Sequence, residues 1–468
     1  MKIIPDVPKE KSPAESVDGF SLLKFVTDDQ AKKSRLLRND ILAAARDRIG
    51  FRQKRTKVVY RAISPGCEIC GNGSWSCLFI NGKCNCRCFY CPTDQTLLGV
   101  PTTNTLTFPR SRDYVDYIDK LAFKGVSVSG GEPLITADQT VNFISAVKKK
   151  FGDNIYLWLY TNGTLATPDI LARLKDAGLN EIRFDIGAAG YALDKAAMAV
   201  GLFDHVTVEI PAVPEDYELM TAKLKEMSDR GLSFLNLHQL RLTSHNLPNM
   251  ISRGYTCLHG EHITVLESEL TALRLIRFAV ENDISLPINY CSFVYKNRFQ
   301  KAASRKRCGQ LIRKTYEDIT ENGYIRSLYV KGPADAIGSL AGDIKRCGCS
   351  PEAWFITKER DRLFFNAGLW PYVSRTTCGL FVSYYNSRLA PSISYINPFK
   401  EVVLNRKRSI YIERTRAAED MEIPPPERDV FERIVIKYED DDSPSAMSGI
   451  MKHIQTFETI APELQDYA

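Results

Sequence analysis

From residue 76 to residue 293 the chain alternates short, β-branched apolar runs with segments of helical period. The runs are Ser76–Ile80, Gly125–Ser129, Ile155–Thr161, Glu181–Gly187, His205–Val213 and Phe234–Thr243, and the amphipathic segments between them include Val141–Phe151, Pro168–Ala177 and Tyr217–Arg230. Strand–helix alternation at this spacing predicts a parallel sheet with helices outside. Six such units suit an open or partial barrel better than a closed eight-fold one. Ser285–Phe293, after a helix at Glu267–Glu281, is a candidate seventh strand.

The rhythm changes on either side. Asp28 to Ile49 carries apolar residues near helical spacing and predicts one amphipathic helix. Past residue 300, aromatic-rich runs at Tyr324–Val330, Trp354–Ile356, Leu363–Phe365, Leu380–Tyr385 and Ser409–Glu413 predict strands of a small mixed domain. Pro424-Pro425-Pro426 and the acidic Glu439–Asp442 predict a linker or exposed turns before a tail. The expected organisation is a helical extension over 1–63, a Cys-rich start and barrel over 64–300, a substrate or auxiliary-cluster domain over 301–423, and a linker and tail over 424–468.

Composition narrows the class. Hydrophobic content of 44% and charged content of 25% in 468 residues are those of a globular chain with a large core. The opening Met1-Lys2-Ile3-Ile4-Pro5-Asp6 lacks the apolar run of a secretory signal, and no stretch reaches the roughly 20 apolar residues of a membrane span. A cytoplasmic protein with no membrane partner is expected. The net charge of +6 is modest, but Lys296 to Lys314 holds eight basic residues and no acidic one. That run is readable as a solvated helix face or as a site for an acidic, phosphorylated or nucleic-acid partner.

Seven of the 13 cysteines lie between Cys67 and Cys91, crowding that reads as metal ligation rather than a disulfide framework. Within Cys84-Asn85-Cys86-Arg87-Cys88-Phe89-Tyr90-Cys91, the residues Cys84, Cys88 and Cys91 are separated by three and then two positions. Iron–sulfur clusters normally take four cysteines, so a three-cysteine grip leaves one iron open to a small molecule. This spacing, with the aromatic Tyr90 just before the last cysteine, resembles the radical S-adenosylmethionine (radical SAM) superfamily. The resemblance implies a [4Fe-4S] cluster on Cys84, Cys88 and Cys91, SAM on its open iron, and a partial (β/α)6 barrel within an α/β chain. It also implies an oxygen-sensitive enzyme that cleaves SAM reductively and abstracts a hydrogen atom, fed by a low-potential donor of ferredoxin or flavodoxin type.

Further elements fit that resemblance. Ser129-Gly130-Gly131-Glu132-Pro133 follows the second predicted strand. Its glycines let the backbone approach a ligand, and the family's Gly-Gly-Glu-Pro segment holds the SAM amino group. Thr161 and Asn162 end the next strand, where small polar groups can touch the carboxylate or ribose of SAM. Arg183 and Asp185 share one face of the following strand by alternation, readable as a ligand site or as a mutual pair. Glu209 sits among apolar strand residues and wants a partner, either SAM or Arg183. His238, Tyr290 and Cys291, on the last predicted strands, are candidates to face the substrate, and a thiol or phenol there can return a hydrogen atom.

Cys67-x-x-Cys70 with Cys77, together with Cys347-Gly-Cys349, is a candidate auxiliary site for a second iron–sulfur cluster or metal ion. The segment Cys67–Pro92 looks like the branch related to glycyl-radical activating enzymes. Three functions follow: a radical SAM enzyme on an unidentified small molecule, peptide or macromolecule; an activase for a glycyl-radical protein; or a non-catalytic iron–sulfur or zinc protein.

Overall fold

The computed structural model describes residues 21–439 and 447–467. The expectations for residues 1–20, and for the acidic stretch past Glu439, lie outside the described residues. A capping box at Thr27, whose side chain and backbone exchange hydrogen bonds with Gln30, starts helix α1 (Asp28–Ala44). A hairpin follows, β1 (Ile49–Arg52) and β2 (Lys57–Tyr60), and then α2 (Pro65–Gly71), capped by Ser64 with Pro65 at its first position.

The barrel strands are β3 (Trp75–Asn81), β4 (Gly125–Gly130), β5 (Tyr156–Thr161), β6 (Glu181–Phe184), β7 (His205–Pro211), β8 (Phe234–His238) and β9 (Ile288–Cys291). They pair in chain order and all in parallel. The six predicted strands and the candidate seventh, here Ile288–Cys291, together form the partial barrel. The β2–β9 join is not visible in the local sequence: β2 runs antiparallel beside β9 and sets Lys57 opposite Cys291 and Val58 opposite Tyr290. Helices Ala137–Phe151, Pro168–Asp176, Tyr217–Asp229 and Leu266–Glu281 cover the outside. Strand alternation sends Leu78, Ile80, Leu157 and Leu159 into this outer core, while Cys77, Phe79 and Tyr160 face the lumen.

Helix α2 closes the end of the barrel where the strands begin. Gly66 packs so tightly there that a Cβ would stand 2.4 Å from Arg183 Nη2, and a Cβ on Gly125 would meet Ile69 at 2.8 Å. Beyond the barrel, Ile325–Lys331, Trp354–Ile356, Arg362–Phe365, Gly379–Ala390, Phe399–Asn405 and Arg408–Arg416 form a second, antiparallel sheet with its own core.

Two expectations change here. The described residues past 424 are integral to the fold rather than a linker and tail. Phe431, Met451 and Ile454 fill the second core, and Leu464 and Tyr467 reach the first. Arg326 and Glu458, both buried, pair at 2.8 Å, and Tyr384 donates to the same carboxylate. Much of the basic run fastens the chain to itself, although Lys301, Lys306, Arg313 and Lys314 are exposed. Arg298, Arg305, Arg307 and Arg313 donate to carbonyls of their own chain, and Lys301 pairs with Glu261. Among the described residues no helix is long and apolar enough to cross a membrane.

Candidate active site

Every barrel strand leads its lumen-facing residues toward one cavity of about 540 Å³. The cysteine loop leaves β3 at its C-terminal end, and Cys84, Cys86, Cys88, Tyr90 and Cys91 line the cavity mouth. The Gly130-Gly131 turn is stitched to the root of that loop. Gly131 N donates to Asn81 O at 3.0 Å, and Glu132 N donates to Lys83 O at 2.8 Å. Added Cβ atoms would stand 2.1 Å from Asn81 O and from Lys83 O respectively, and Gly130 has a φ of +138°. Only glycine permits this approach.

Glu132 and Pro133 do something other than line the pocket. The Glu132 carboxylate is fully buried and accepts from Leu134 N (2.9 Å), Thr161 Oγ1 (2.7 Å) and Asn162 N (2.7 Å). Burial pushes its pKa up, and these donors oppose that rise. It locks the end of β5 rather than offering an acceptor to the cavity. Pro133 is buried, its carbonyl accepting from Thr140. Asn162 is thereby placed to donate to Asn85 Oδ1 at 2.8 Å and to reach Cys84 Sγ at 3.7 Å. Ser129, Thr161 and Asn162 all line the cavity.

Arg183 and Asp185 are not partners of each other. Asp185 accepts from Tyr90 OH at 2.9 and 3.0 Å and from Ala188 N, and burial raises its pKa to about 6. Arg183, 2% exposed, sits between Glu181 and Glu209, with closest contacts of 2.9 and 2.6 Å. It also donates to Ser64 Oγ and lies 3.5 Å from Cys67 Sγ. Burial works against ionisation of Glu209, but Arg183, His238 and Lys296 outweigh it and hold the carboxyl at about 2. His238 Nε2 lies 3.5 Å from Glu209 Oε1. Burial and the cations Lys296, Arg183 and Arg241 keep the imidazole neutral to about 3, against the weaker pull of Glu209. The ring retains 26% of its surface, exposed to the cavity it lines rather than to bulk water.

Alternation on β9 separates two candidates. Cys291 faces the lumen, whereas Tyr290 points outward, fully buried, and donates to Glu269 at 2.9 Å. Tyr290 therefore does not face the substrate space, contrary to expectation. The auxiliary set also divides. Cys67, Cys70 and Cys77 line the lumen near Cys291. Cys347 is exposed and Cys349 packs on the second core, at the end of helix Ala334–Arg346. The two groups do not form one site. Sequence reasoning missed Lys57 and Glu181, and singled out Lys296 only as the start of the basic run. The signal for Glu181 was present, since it lies two residues from Arg183 and so on the same strand face.

The donor set suits an iron–sulfur cluster with an open iron. Three thiols at the family spacing share one loop at the mouth, the loop is tied to neighbouring strand ends, and room for a ligand lies beneath it. Among the described residues no three Cys, His, Asp or Glu side chains form a ready-made metal cage.

Comparison with known proteins gives matches of three kinds. The Radical SAM superfamily profile matches residues 78–228. A Methanocaldococcus jannaschii protein, whose name proposes a glycyl-radical enzyme activating enzyme, is 31% identical over 289 residues, 59% of this chain and 76% of its own. GTP 3′,8-cyclase of Desulforamulus reducens is 27% identical over 155 residues, 33% of this chain and 46% of its own. Among solved structures, Streptococcus suis SuiB bound to the precursor peptide SuiA aligns at 11% identity with a TM-score of 0.35, over 53% of this chain and 57% of that one. The cysteine loop, the barrel that carries it and the extent of the archaeal match lead to one assignment: the chain belongs to the radical SAM superfamily and is a radical SAM enzyme.

Proposed function

We propose that Cys84, Cys88 and Cys91 hold a [4Fe-4S] cluster with SAM on its open iron, and that the enzyme abstracts a hydrogen atom from a small molecule seated in the barrel lumen. The observation that carries this reading is the continuity of a single cavity from the cysteine loop to Arg183, Glu209, His238 and Cys291. Its volume is in the range of small-molecule sites, roughly 300–1,000 Å³. When bound, the cluster and SAM supply reductive cleavage to methionine and a 5′-deoxyadenosyl radical, with the electron drawn from a low-potential donor of ferredoxin or flavodoxin type.

The protein's part is placement. Gly130, Gly131 and Asn162 fix the loop, and Tyr90 ties it to Asp185. Arg183 and Glu209 form a rigid ion pair beside the substrate space. Cys291, kept protonated by burial, is a thiol placed to return a hydrogen atom. Cys67, Cys70 and Cys77 remain candidates for a second metal centre in the floor.

A second reading, activation of a glycyl-radical protein, is favoured by the name of the archaeal relative. Electron paramagnetic resonance of the reduced, reconstituted protein tests the shared part. SAM should change the cluster signal in the wild type, and Cys88→Ala should lose that signal. A SAM-insensitive signal contradicts both readings.

A further inference from the structure

The carboxylates in the cavity wall, Glu209 and Asp185, and Glu181 buried behind it, are already taken. Glu181 and Glu209 flank Arg183, and Asp185 is held by Tyr90 and Ala188. Two ammonium groups are left over. Lys57 is 1% exposed, yet among the described residues its ammonium makes no hydrogen bond and has no carboxylate within ion-pair distance, its nearest charge partners being the thiols of Cys291, Cys67 and Cys70. Its Nζ rests instead over the Tyr295 ring at 4.3 Å. Lys296, half-buried, is likewise unpaired, with Nζ over the Phe293 ring at 5.0 Å. Both line the same cavity on either side of Cys291: Lys57 faces it across the β2–β9 register, and Lys296 follows it by five residues. Glu209, the anion both lysines feel, lies beyond ion-pair distance of either and is already paired with Arg183. An ammonium removed from water without a contacting counter-charge is costly, and an aromatic face offsets only part of that cost.

We propose that Lys57 and Lys296 form an anion subsite in the lumen, and that the substrate is a small molecule carrying a carboxylate or phosphate which these two ammonium groups bind. This rests on reading the cavity as the substrate chamber. The aromatic rings leave the ammonium protons that point into the cavity free to donate, and an anionic group there completes both lysines at once. The anion would also hold the rest of the substrate against Cys291, beneath the cysteine loop.

The test is calorimetric titration, under anaerobic conditions, of the cluster-loaded protein saturated with SAM. The probes are orthophosphate, pyrophosphate and succinate, against wild type, Lys57→Met, Lys296→Met and the surface control Lys301→Met. At least one probe is expected to bind the wild type and the control alike and to weaken roughly tenfold or more in each lumen variant, the loss expected for a charge-assisted contact. The better probe tells phosphate from carboxylate. Lys296→Met, being less buried, keeps the test valid if Lys57→Met fails to fold. Absence of binding, equal binding by all four proteins, or probe binding seen only without SAM (the lysines then holding the SAM carboxylate) overturns the proposal. So does loss of iron in Lys57→Met, which would make the lysine a counter-charge to metal on Cys67 and Cys70. A SAM-sensitive cluster signal retained in the variants leaves the chamber reading intact even when the subsite fails.

Discussion

Tyr90 OH reaches both carboxylate oxygens of Asp185, at 2.9 and 3.0 Å. The aromatic residue of the cysteine loop is thus anchored to the end of β6, three strands away from β3, where the loop begins. Tyr90→Phe keeps the ring, which packs edge-on against Phe89, but removes the tether and leaves Asp185 under-satisfied. Losing a hydrogen bond to a charged group costs roughly 1.5–3 kcal/mol. The expected outcome is faster cluster loss to a chelator, by about tenfold, at unchanged overall fold. Bleaching of the cluster absorbance with time checks it, and equal rates would count against an anchoring role.

Glycine positions separate two kinds of site. A Cβ at Gly131 would stand 2.1 Å from the backbone oxygen of Lys83, which cannot swing aside. Gly131→Ala should displace the loop root and abolish cluster incorporation. Gly338 lies in helix Ala334–Arg346 with nothing within 4 Å of its would-be Cβ, so Gly338→Ala should stabilise the protein by roughly 0.5–1 kcal/mol. Iron content and thermal melts of the two variants check this contrast.

His238 predicts a pH dependence. Its pKa is about 3 in the fold and 6.5 as the ordinary value. The unfolded chain therefore binds a proton below about 6.5 that the folded chain refuses until about 3. Neutral His238 contributes stability in full above pH 6.5, and that contribution declines by about 1.4 kcal/mol per pH unit as pH falls through this window. Glu209, held at about 2, has the same sign at lower pH. The melting temperature of wild type should fall between pH 7 and pH 5 more steeply than that of His238→Gln. Parallel slopes would contradict the assignment of a buried neutral imidazole.

The C-terminal segment is fastened by a buried ion pair. Removing one partner of such a pair costs about 3–5 kcal/mol, because the other is left charged and dry. Glu458→Ala should therefore unfold the second sheet before the barrel, seen as an early transition in calorimetry and as cleavage within the second sheet by limited proteolysis. Glu458→Gln, which keeps an acceptor for Arg326 and Tyr384, should be milder.

Particular residues show what the sequence could and could not reveal. The barrel was legible because each strand carries its own apolar face, and the cysteine loop because its spacing is local. The β9 strand was harder: in Ile288-Asn289-Tyr290-Cys291 both Tyr and Cys suit either face, and only pairing with β8 and β2 sends Tyr290 out and Cys291 in. Lys57 was invisible as a lumen residue because β2 joins the barrel through β9, more than 200 residues later. The docked C-terminal segment depends on Arg326 meeting Glu458 across 132 positions. The arginines of the basic run looked free because backbone carbonyls, their actual partners, leave no mark in a sequence.

The measurement that bears most directly on the central claim is SAM cleavage. Protein reconstituted anaerobically with iron and sulfide, then given dithionite and SAM, should release 5′-deoxyadenosine. The Cys84→Ala/Cys88→Ala/Cys91→Ala triple variant should release none. A wild type that holds iron yet yields no 5′-deoxyadenosine, even with cell extract supplied as a source of substrate, would contradict the account and favour a non-catalytic iron–sulfur protein.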